Sequence, residues 1–414
     1  MRSVIITISA LMLLESIGAQ TTLTEYTTQA VEYSTRIEEA ELRGESAEAE
    51  LRRIRREYLP ELSFERSAEV DFNHSGMGRP WSWGTTLELS QVVWHGGAIS
   101  AERDRQQIEV AISELNKTLT LRGVVLEAKR RYCRLSYMEL MLSSMEHYNE
   151  IVVSLRDVIK RRYDEGYSSK GDLLQIESRL SDAEYQLSSY VEQYEQALHS
   201  FNTLVGNDLT KRIRLSESIL SMAELPERCN TEALEAEHPE RRIAELRAEG
   251  ARHEVRRVNS TYLPRIDLRA YGTLQPRQPH TSNTPLNFGS GAMLGVSSVI
   301  YHFGERHEAV AAAKSEQLVY ELEVEDIINE IRLQEQDAWT RVVSTHERLR
   351  ALERGLGTVE ENLEISTYAY NEGQTTILDV MQAQISWLQT YRNVLGAHYD
   401  YAVAVAEYSY ITGY

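Results

Sequence analysis

The chain has 414 residues, with 63 acidic against 44 basic side chains and a formal net charge of −19. Its length suits two or three domains, and its charge argues against nucleic acid as a partner, because a phosphate-binding surface needs a basic face. With only 8 Pro, 22 Gly and 42% hydrophobic residues, the composition excludes collagen-like and disordered chains. Cys133 and Cys229 lie too far apart for a CxxC metal site. One disulfide between them is geometrically possible, but two free buried thiols are favoured.

The N-terminus predicts export. Arg2 precedes an apolar run at residues 4–14, and Ala19 follows a short stretch of mainly small residues. This is the order of a secretory signal peptide, so we expect residues 1–19 to be removed after Ala19. The apolar run is too short to cross a bilayer as an inner-membrane anchor. The rest of the sequence contains no stretch of eighteen apolar residues, so we expect no transmembrane helix.

A tandem repeat organises the remaining sequence. Tyr58–Pro60 recurs as Tyr262–Pro264, and Tyr163–Gly166 recurs, with one substitution, as Tyr370–Gly373. Such matches in one order, at a nearly constant spacing of about two hundred residues, indicate an internal duplication.

The duplication divides the chain into predicted domains. We expect a first repeat over residues 20–206 and a second over residues 238–414, each made of a helix, two strands, a long helix and a return helix. The mixed polar segment at residues 207–237 is expected to be a linker outside the main body of the fold.

Each repeat contains two segments in which apolar and polar residues alternate, at residues 61–72 and 81–93 and then at 266–274 and 292–300. This alternation is typical of a membrane barrel strand, with one face to lipid and one to water. A soluble sheet with one buried face would give the same pattern. Aromatic residues lie near the strand ends, at Trp81, Trp83, Trp94 and Tyr301. Such residues form interfacial girdles, and together with export they favour the membrane.

Two long stretches without proline follow the strands, at residues 98–163 and 305–370. A helix of that length would reach about 100 Å. Apolar residues step by seven along the first stretch in two stripes, Ile112, Leu119, Leu126, Cys133 and Leu140, and Leu121, Ala128, Leu135 and Leu142. The two stripes lie about 200° apart around the helix axis. This arrangement suits a helix that packs against a neighbouring helix on each side. Glu335 interrupts the stripe in the second stretch. Shorter helices are predicted at residues 24–57, 170–205, 239–259 and 376–410.

These features together resemble the TolC-like outer-membrane efflux family, over nearly the whole mature chain. The most specific motifs are Tyr370–Gln384, its counterpart Tyr163–Gln175, and His238–Glu240. The resemblance implies an α + β membrane protein: a trimeric channel-tunnel with a 12-stranded outer-membrane β-barrel, four strands per chain, and a long periplasmic α-helical barrel. The strand count alone requires oligomerisation, because barrels need about eight strands. A dimer and a trimer both satisfy it, and the trimer follows from the resemblance.

The resemblance also implies a function. The chain would be an outer-membrane export duct, with a large periplasmic portion, for passive efflux of drugs, toxic compounds, metals or polypeptides. Its partners would be two further copies of itself, a periplasmic adaptor, an inner-membrane pump of the RND, ABC or MFS type, and outer-membrane lipid. The alternative is a structural periplasmic coiled-coil spacer without a pore.

No HExxH, GxSxG or phosphate-loop signature occurs, so neither an enzyme, a cofactor nor a metal site is expected.

The resemblance implies that the adaptor docks at the two helix reversals. The residues concerned are Gly166, Tyr167, Gly373 and Gln374. Glycine permits the left-handed backbone that a sharp reversal of a helix needs, so the alternative is that these glycines only terminate helices.

A gate is also implied near the second reversal. Asp379 matches an inward-facing acid that forms a constriction ring, while Tyr370 and Asp172 match residues that latch the closed state. Thr375 stands where some members have a latching arginine, and Gln382 where a second acidic ring can occur. We therefore expect one acidic ring and a gate that opens readily. The alternative is that Asp379 simply caps the start of a helix.

Acidic residues on the polar strand face predict a cation-selective lumen. They are Glu61, Glu65, Glu69, Asp71 and Glu88. A ring of like charges in a narrow passage raises the local cation concentration. The alternative is that the negative charge only keeps the exported chain soluble.

Overall fold

A computed structural model describes residues 20–70, 81–221, 224–276, 286–301 and 303–413. The predicted signal peptide and Asp71 lie outside the described residues. The chain forms two compact units, each built from segments of both repeats. The sheet unit contains the described residues of Glu39–Thr118 and Glu235–Glu330, and the helix unit contains those of Met1–Glu38, Leu119–Leu234 and Ile331–Tyr414.

The helices fall close to their predicted positions. They are α1 Leu23–Tyr33, α2 Thr35–Arg56, α3 Ala98–Asp164, α4 Lys170–Leu204, α5 Thr231–Glu237, α6 Pro239–Ser260, α7 Glu305–Asn371 and α8 Ile377–Thr412. The two long helices, α3 and α7, contain 67 residues each, and both end one residue later than predicted. In the described part of the chain, no helix is both long enough and apolar enough to cross a membrane.

The prediction of one helix over residues 24–57 is wrong, because the chain breaks at Ser34. Ser34 has an extended backbone, with φ −70° and ψ 110°. Its carbonyl oxygen accepts the first hydrogen bonds of α2, from the N–H groups of Ile37 and Glu38. Serine favours this position before a helix, so a second helix starts where the first could have continued.

The described strands are β1 Gln20–Thr21, β2 Glu61–Val70, β3 Trp81–His95, β4 Arg214–Leu215, β5 Arg265–Pro276 and β6 Leu286–Ser297. Four of them form one antiparallel sheet in the order β2–β3–β5–β6. The predicted strand pair of each repeat is confirmed, although β6 starts earlier and ends earlier than expected. The β3–β5 ladder joins the two repeats in one sheet.

The strand register places the apolar residues on one face. Phe64 lies opposite Leu87, and Leu268 lies opposite Leu294. Because side chains alternate across a strand, these positions and their neighbours two residues away share that face. The other face carries Glu65, opposite Thr86. The sheet thus has an apolar and a polar face.

The apolar face is exposed in the single chain. Its exposed large side chains include Leu62, Phe64, Leu87, Leu89, Leu268, Phe288, Leu294 and Val296. A continuous apolar surface of this kind marks contact with a membrane or with another protein.

Aromatic residues form one core cluster of the helix unit, between α1, α3 and α4. The rings of Tyr26 and Phe201 stack with centroids 3.8 Å apart, and Tyr132 lies beside both. The Tyr26 hydroxyl donates to the Phe201 carbonyl over 2.9 Å. Burial raises the pKa of Tyr26, so the hydroxyl remains a neutral donor in this core.

The expectation that residues 207–237 lie outside the main body is wrong for the part that belongs to the helix unit. Ile219 is fully buried in a cluster with Cys133 and Ala402. Apolar burial of this kind stabilises the segment against the helices. Both cysteines, Cys133 and Cys229, are free thiols, and burial raises the pKa of Cys133 to about 11.

The same segment explains the interruption in the heptad stripe of α7. Glu335 is only 1% exposed, and Arg228 donates to both of its carboxylate oxygens over 3.1 Å. A buried charge needs such a partner, so the acid that disrupts the apolar pattern holds the segment in place.

Candidate functional site

The first helix reversal, between α3 and α4, depends on Gly166. Its φ is +81°, in the left-handed region that favours glycine. The N–H of Gly166 donates to the Tyr163 carbonyl over 3.0 Å, and the N–H of Tyr167 donates to the Arg162 carbonyl over 2.7 Å. This pair of bonds is a Schellman motif, which satisfies the last carbonyls of a helix.

The second reversal, between α7 and α8, repeats the same motif at Gly373, whose φ is +72°. The N–H of Gly373 donates to the Tyr370 carbonyl over 3.0 Å, and the N–H of Gln374 donates to the Ala369 carbonyl over 2.8 Å. A Cβ added at Gly166 or Gly373 would meet no atom within 4 Å. These two glycines are therefore required by backbone conformation and not by lack of space.

Asp172 caps the start of α4, directly after the first reversal. Its carboxylate oxygen Oδ2 accepts from the Ser169 N–H over 3.0 Å and from the Ser168 hydroxyl over 3.1 Å. In return, the Asp172 N–H donates to the Ser169 hydroxyl over 3.1 Å. This is a capping box, and these bonds to its charged form lower the pKa of Asp172.

Asp379 takes the equivalent position at the start of α8. Its Oδ2 accepts from the Thr375 hydroxyl over 2.5 Å, from the Thr376 N–H over 2.9 Å and from the Thr376 hydroxyl over 2.7 Å. The hydroxyl bonds, with the backbone bond, lower the pKa of Asp379 to about 2. In one chain Asp379 therefore caps a helix, as the alternative interpretation expected, and it stays charged at any physiological pH.

All the hydrogen bonds to Asp379 in the described residues end on Oδ2. Its other oxygen, Oδ1, accepts none from the part of the chain that the structure describes, and the side chain is exposed. Capping the helix and facing a cation are thus compatible, because each function uses a different oxygen.

Among the described residues, no hydrogen bond joins the Tyr370 hydroxyl to Asp172. This hydroxyl instead accepts from Nη1 of Arg162 over 2.7 Å, and the Arg162 guanidinium lies 4.9 Å from the centre of the Tyr370 ring. A cation over an aromatic face adds attraction to the hydrogen bond. This contact joins the ends of the two long helices and therefore of the two repeats.

The role of Arg162 was not predicted from the sequence. The resemblance to the family points to a latching arginine only at the position of Thr375, on the loop of the second reversal. One signal could have found it: Arg162 precedes Tyr163, whereas Ala369 stands at the corresponding place before Tyr370. A charged residue in one copy of a repeat and not in the other marks a position with a different partner.

The polar sheet face carries both signs of charge. The acidic residues Glu61, Glu65, Glu69 and Glu88 lie on it, as predicted. Arg265 and Arg269 share this face, and both lie near the Asp267 carboxylate, at 3.8 Å and 2.9 Å. The acids thus concentrate on β2 and β3, and the arginines on β5.

The sheet also has two open edges. Among the described strands, β2 pairs only with β3, and β6 pairs only with β5. An edge strand presents unpaired N–H and C=O groups that can pair with another chain. The sheet can therefore extend by pairing its edge strands with those of a second copy of the chain.

This fold is that of the outer-membrane efflux channels. It matches a solved structure of CusC with a TM-score of 0.81 and 16% identity, over 96% of this chain and 94% of that one. It matches VceC of Vibrio cholerae with a TM-score of 0.77 and 16% identity, over 94% and 96% of the two chains. The open-state MtrE channel of Neisseria gonorrhoeae matches with a TM-score of 0.79 and 16% identity, over 94% and 88%.

The sequence comparison gives the family. The sequence model of the Outer membrane efflux protein family matches residues 27–207 and again residues 231–413, and the chain belongs to this family. Outer membrane efflux protein BepC of Brucella suis biovar 1 (strain 1330) is 23% identical over 247 residues, which is 59% of this chain. The match spans about half, 53%, of that relative's length.

Several sequence predictions are confirmed by these matches. They include the family, the α + β channel-tunnel fold of two tandem repeats, the outer-membrane location with a periplasmic helical portion, and the absence of enzymatic function, since members of the family are conduits. The exact domain limits and the roles of the gate and docking residues stay predictions.

Proposed function

We propose that the protein is an outer-membrane export duct that works as a homotrimer. It conducts small molecules or polypeptides passively from an inner-membrane pump of the RND, ABC or MFS type and a periplasmic adaptor to the outside. Family membership supports this function over a periplasmic spacer, and the class of cargo is set by the pump. Members of this family are trimeric outer-membrane channels that work with adaptors and inner-membrane pumps.

One observation carries the proposal: a four-stranded sheet with an exposed apolar face, a polar face and two open edges. Four strands are too few to close a barrel, since about eight are the minimum. Pairing β6 of one copy with β2 of the next closes a ring without free edges. Three copies give twelve strands, with the apolar face towards lipid and the polar face towards water.

The second reversal supports a gate. In a trimer, three Asp379 side chains would approach one axis, each with Oδ1 free for a cation. The contact between Arg162 and Tyr370 would hold the ends of α3 and α7 together in the closed state. An arginine is thus available to the gate although Thr375 replaces the one known in other members.

The two reversals also support adaptor docking. Tyr167 is 82% exposed, and the space beside Gly166 and Gly373 is open. An exposed aromatic side chain next to an open backbone turn suits contact with a partner. The adaptor would therefore meet a surface that repeats twice in each chain.

The experiment that tests the proposal is fractionation followed by an export assay. We expect the protein in the outer-membrane fraction as a trimer that dissociates on heating, and we expect loss of the gene to sensitise cells to substrates of the associated pump. A matched test of assembly is proline at one strand site and at one loop site. Leu294→Pro, within the β5–β6 ladder, should abolish trimers, whereas Thr210→Pro, in an exposed loop, should not. Recovery as a soluble periplasmic protein would support the spacer instead.

A further inference from the structure

A basic groove lies at the helix-connected end of the sheet, where β6 leads into α7. It has a volume of about 450 Å³ and lies between the end of α6 and the first turns of α7. Its polar lining residues are Asn259, Arg306, His307 and Lys314, and Val310 contributes apolar surface. The whole groove belongs to the sheet unit.

The groove offers positive charge that the chain does not neutralise. In the described residues, neither Arg306, His307 nor Lys314 forms an ion pair with a carboxylate, and all three are exposed. Nε and Nη2 of Arg306 both donate to the Asn259 side-chain oxygen, over 3.1 Å and 2.9 Å. That contact fixes the guanidinium and leaves Nη1 available. His307 and Lys314 are seven residues apart, two turns of the same helix face.

An exposed apolar segment precedes this groove. Ile300, Tyr301 and Phe303 are 98%, 71% and 90% exposed, and the rings of Tyr301 and Phe303 meet edge to face at 4.6 Å. The segment follows directly from β6, whose Leu294 and Val296 lie on the exposed apolar face. Apolar surface that continues from a lipid-facing strand is itself suited to lipid.

We propose that this groove binds the phosphate of an anionic phospholipid in the periplasmic leaflet of the outer membrane. The sheet end that connects to the periplasmic helices lies at that leaflet. Arg306 and Lys314 contact the headgroup phosphate, while Ile300, Tyr301 and Phe303 lie among the upper parts of the acyl chains. Basic residues next to aromatic ones at the same depth match the two halves of an anionic lipid.

The lipid is favoured over a free anion because the apolar segment adjoins the charged groove. A soluble phosphate would use the cations alone and would gain nothing from Phe303. The site goes beyond the export function, since it concerns how the protein is seated in the membrane.

The test uses purified trimers in nanodiscs of phosphatidylcholine that contain increasing fractions of fluorescent phosphatidylglycerol. We expect phosphatidylglycerol to be enriched next to the protein and competing phosphatidylcholine not to displace it. Arg306→Gln and Lys314→Gln should each weaken the binding about fivefold. Arg252→Gln removes the same charge from an arginine of the sheet unit that is paired with Glu321, and it should leave the binding unchanged.

Three results would overturn the proposal. Equal enrichment in the wild type and in both groove variants would show that the lipid binds elsewhere. Displacement by millimolar inorganic phosphate would show a site for free anions. Loss of trimers by the groove variants in lipid-free detergent would show that a neighbouring copy covers the groove.

Discussion

The two helix reversals share a backbone frame and differ in their side-chain contacts. Each has a glycine in a Schellman motif and an aspartate that caps the next helix. Arg162 of the first repeat nevertheless contacts Tyr370 of the second, whereas Ala369 has no charge to offer in return. After the duplication, the residues that the backbone needs stayed alike, and those that contact another helix diverged.

The largest expected effect comes from a bulky residue at a reversal. Gly373→Trp should abolish export, because the side chain projects into the open space where we propose that the adaptor docks, and the left-handed backbone disfavours any side chain at a cost of about 1 kcal/mol. Trimers in the outer membrane should remain. Gly166→Trp tests whether both reversals dock equally.

Gly357→Trp is the matched control for this substitution. Gly357 lies in α7, has open space beside it and has no left-handed backbone, so the same side chain there should leave export intact. Normal export by Gly373→Trp would remove the docking role.

The contact between Arg162 and Tyr370, which distinguishes the two reversals, predicts the next largest effect, on channel conductance. Arg162→Ala should raise the resting conductance of the trimer about twofold to fivefold, because an exposed charged contact with an aromatic ring contributes about 0.5–1 kcal/mol. Single-channel recording measures this change directly. Arg161→Ala removes the same charge from a residue whose side chain, among the described residues, has a hydrogen bond to the Asp157 carbonyl and none to Tyr370, and the conductance should not change. A wild-type conductance for Arg162→Ala would show that the contact does not hold the gate.

The burial of His398, in the helix unit, predicts that the stability of the protein depends weakly on pH. Burial lowers the pKa of His398 below its usual 6.5, although Glu353 lies 3.4 Å away. The folded state thus favours the neutral ring, and its stability is complete above pH 6.5 and declines as the pH falls below that value. We expect Tm to fall by about 2 °C between pH 7.5 and 5.5.

His398→Gln should remove most of this dependence on pH. His147→Gln, at an exposed position of α3, should retain it. If the stability of the His398 variant declined as steeply as that of the wild type, another group would be responsible.

The smallest expected effect is that of acidic pH on the local stability of the two helix starts that Asp172 and Asp379 cap. The pKa values of both acids are lowered, to about 2 for Asp379, so each helix start keeps its full stability above the usual carboxyl pKa of 3.8. That stability is lost as the pH falls towards about 2 at α8. Hydrogen exchange of the first turns of α4 and α8, corrected for intrinsic rates, measures this loss. Opening of α8 already at pH 5 would contradict the capping geometry.

Much of the fold was predictable because its signals are local. The absence of proline and the heptad stripes predicted α3 and α7 to within one residue. The alternation of apolar and polar residues predicted all four strands of the sheet. The break at Ser34 was missed, since a serine inside a helical pattern is compatible with either outcome.

The unpredicted features depend on contacts between residues distant in sequence. Arg162 and Tyr370 meet only because two long helices end side by side, and Glu335 is stabilised by Arg228 from a segment that its polar composition placed outside the fold. In the same way, the glycines at the reversals were visible from the repeat, but the separate roles of the two Asp379 oxygens required the hydrogen-bond geometry.

The most direct test of the export duct is the current through purified trimers in a planar bilayer with divalent cations on the periplasmic side. We predict a cation-selective conductance that these cations block, and a block at least about tenfold weaker for Asp379→Asn, which keeps an oxygen for the Thr376 N–H but removes the charge. Asp172→Asn makes the same change in the first repeat, and it should leave the block intact, because Asp172 is expected to latch the gate and not to form the acidic ring. Trimers that conduct no current, or a block unaltered by Asp379→Asn, would contradict the account.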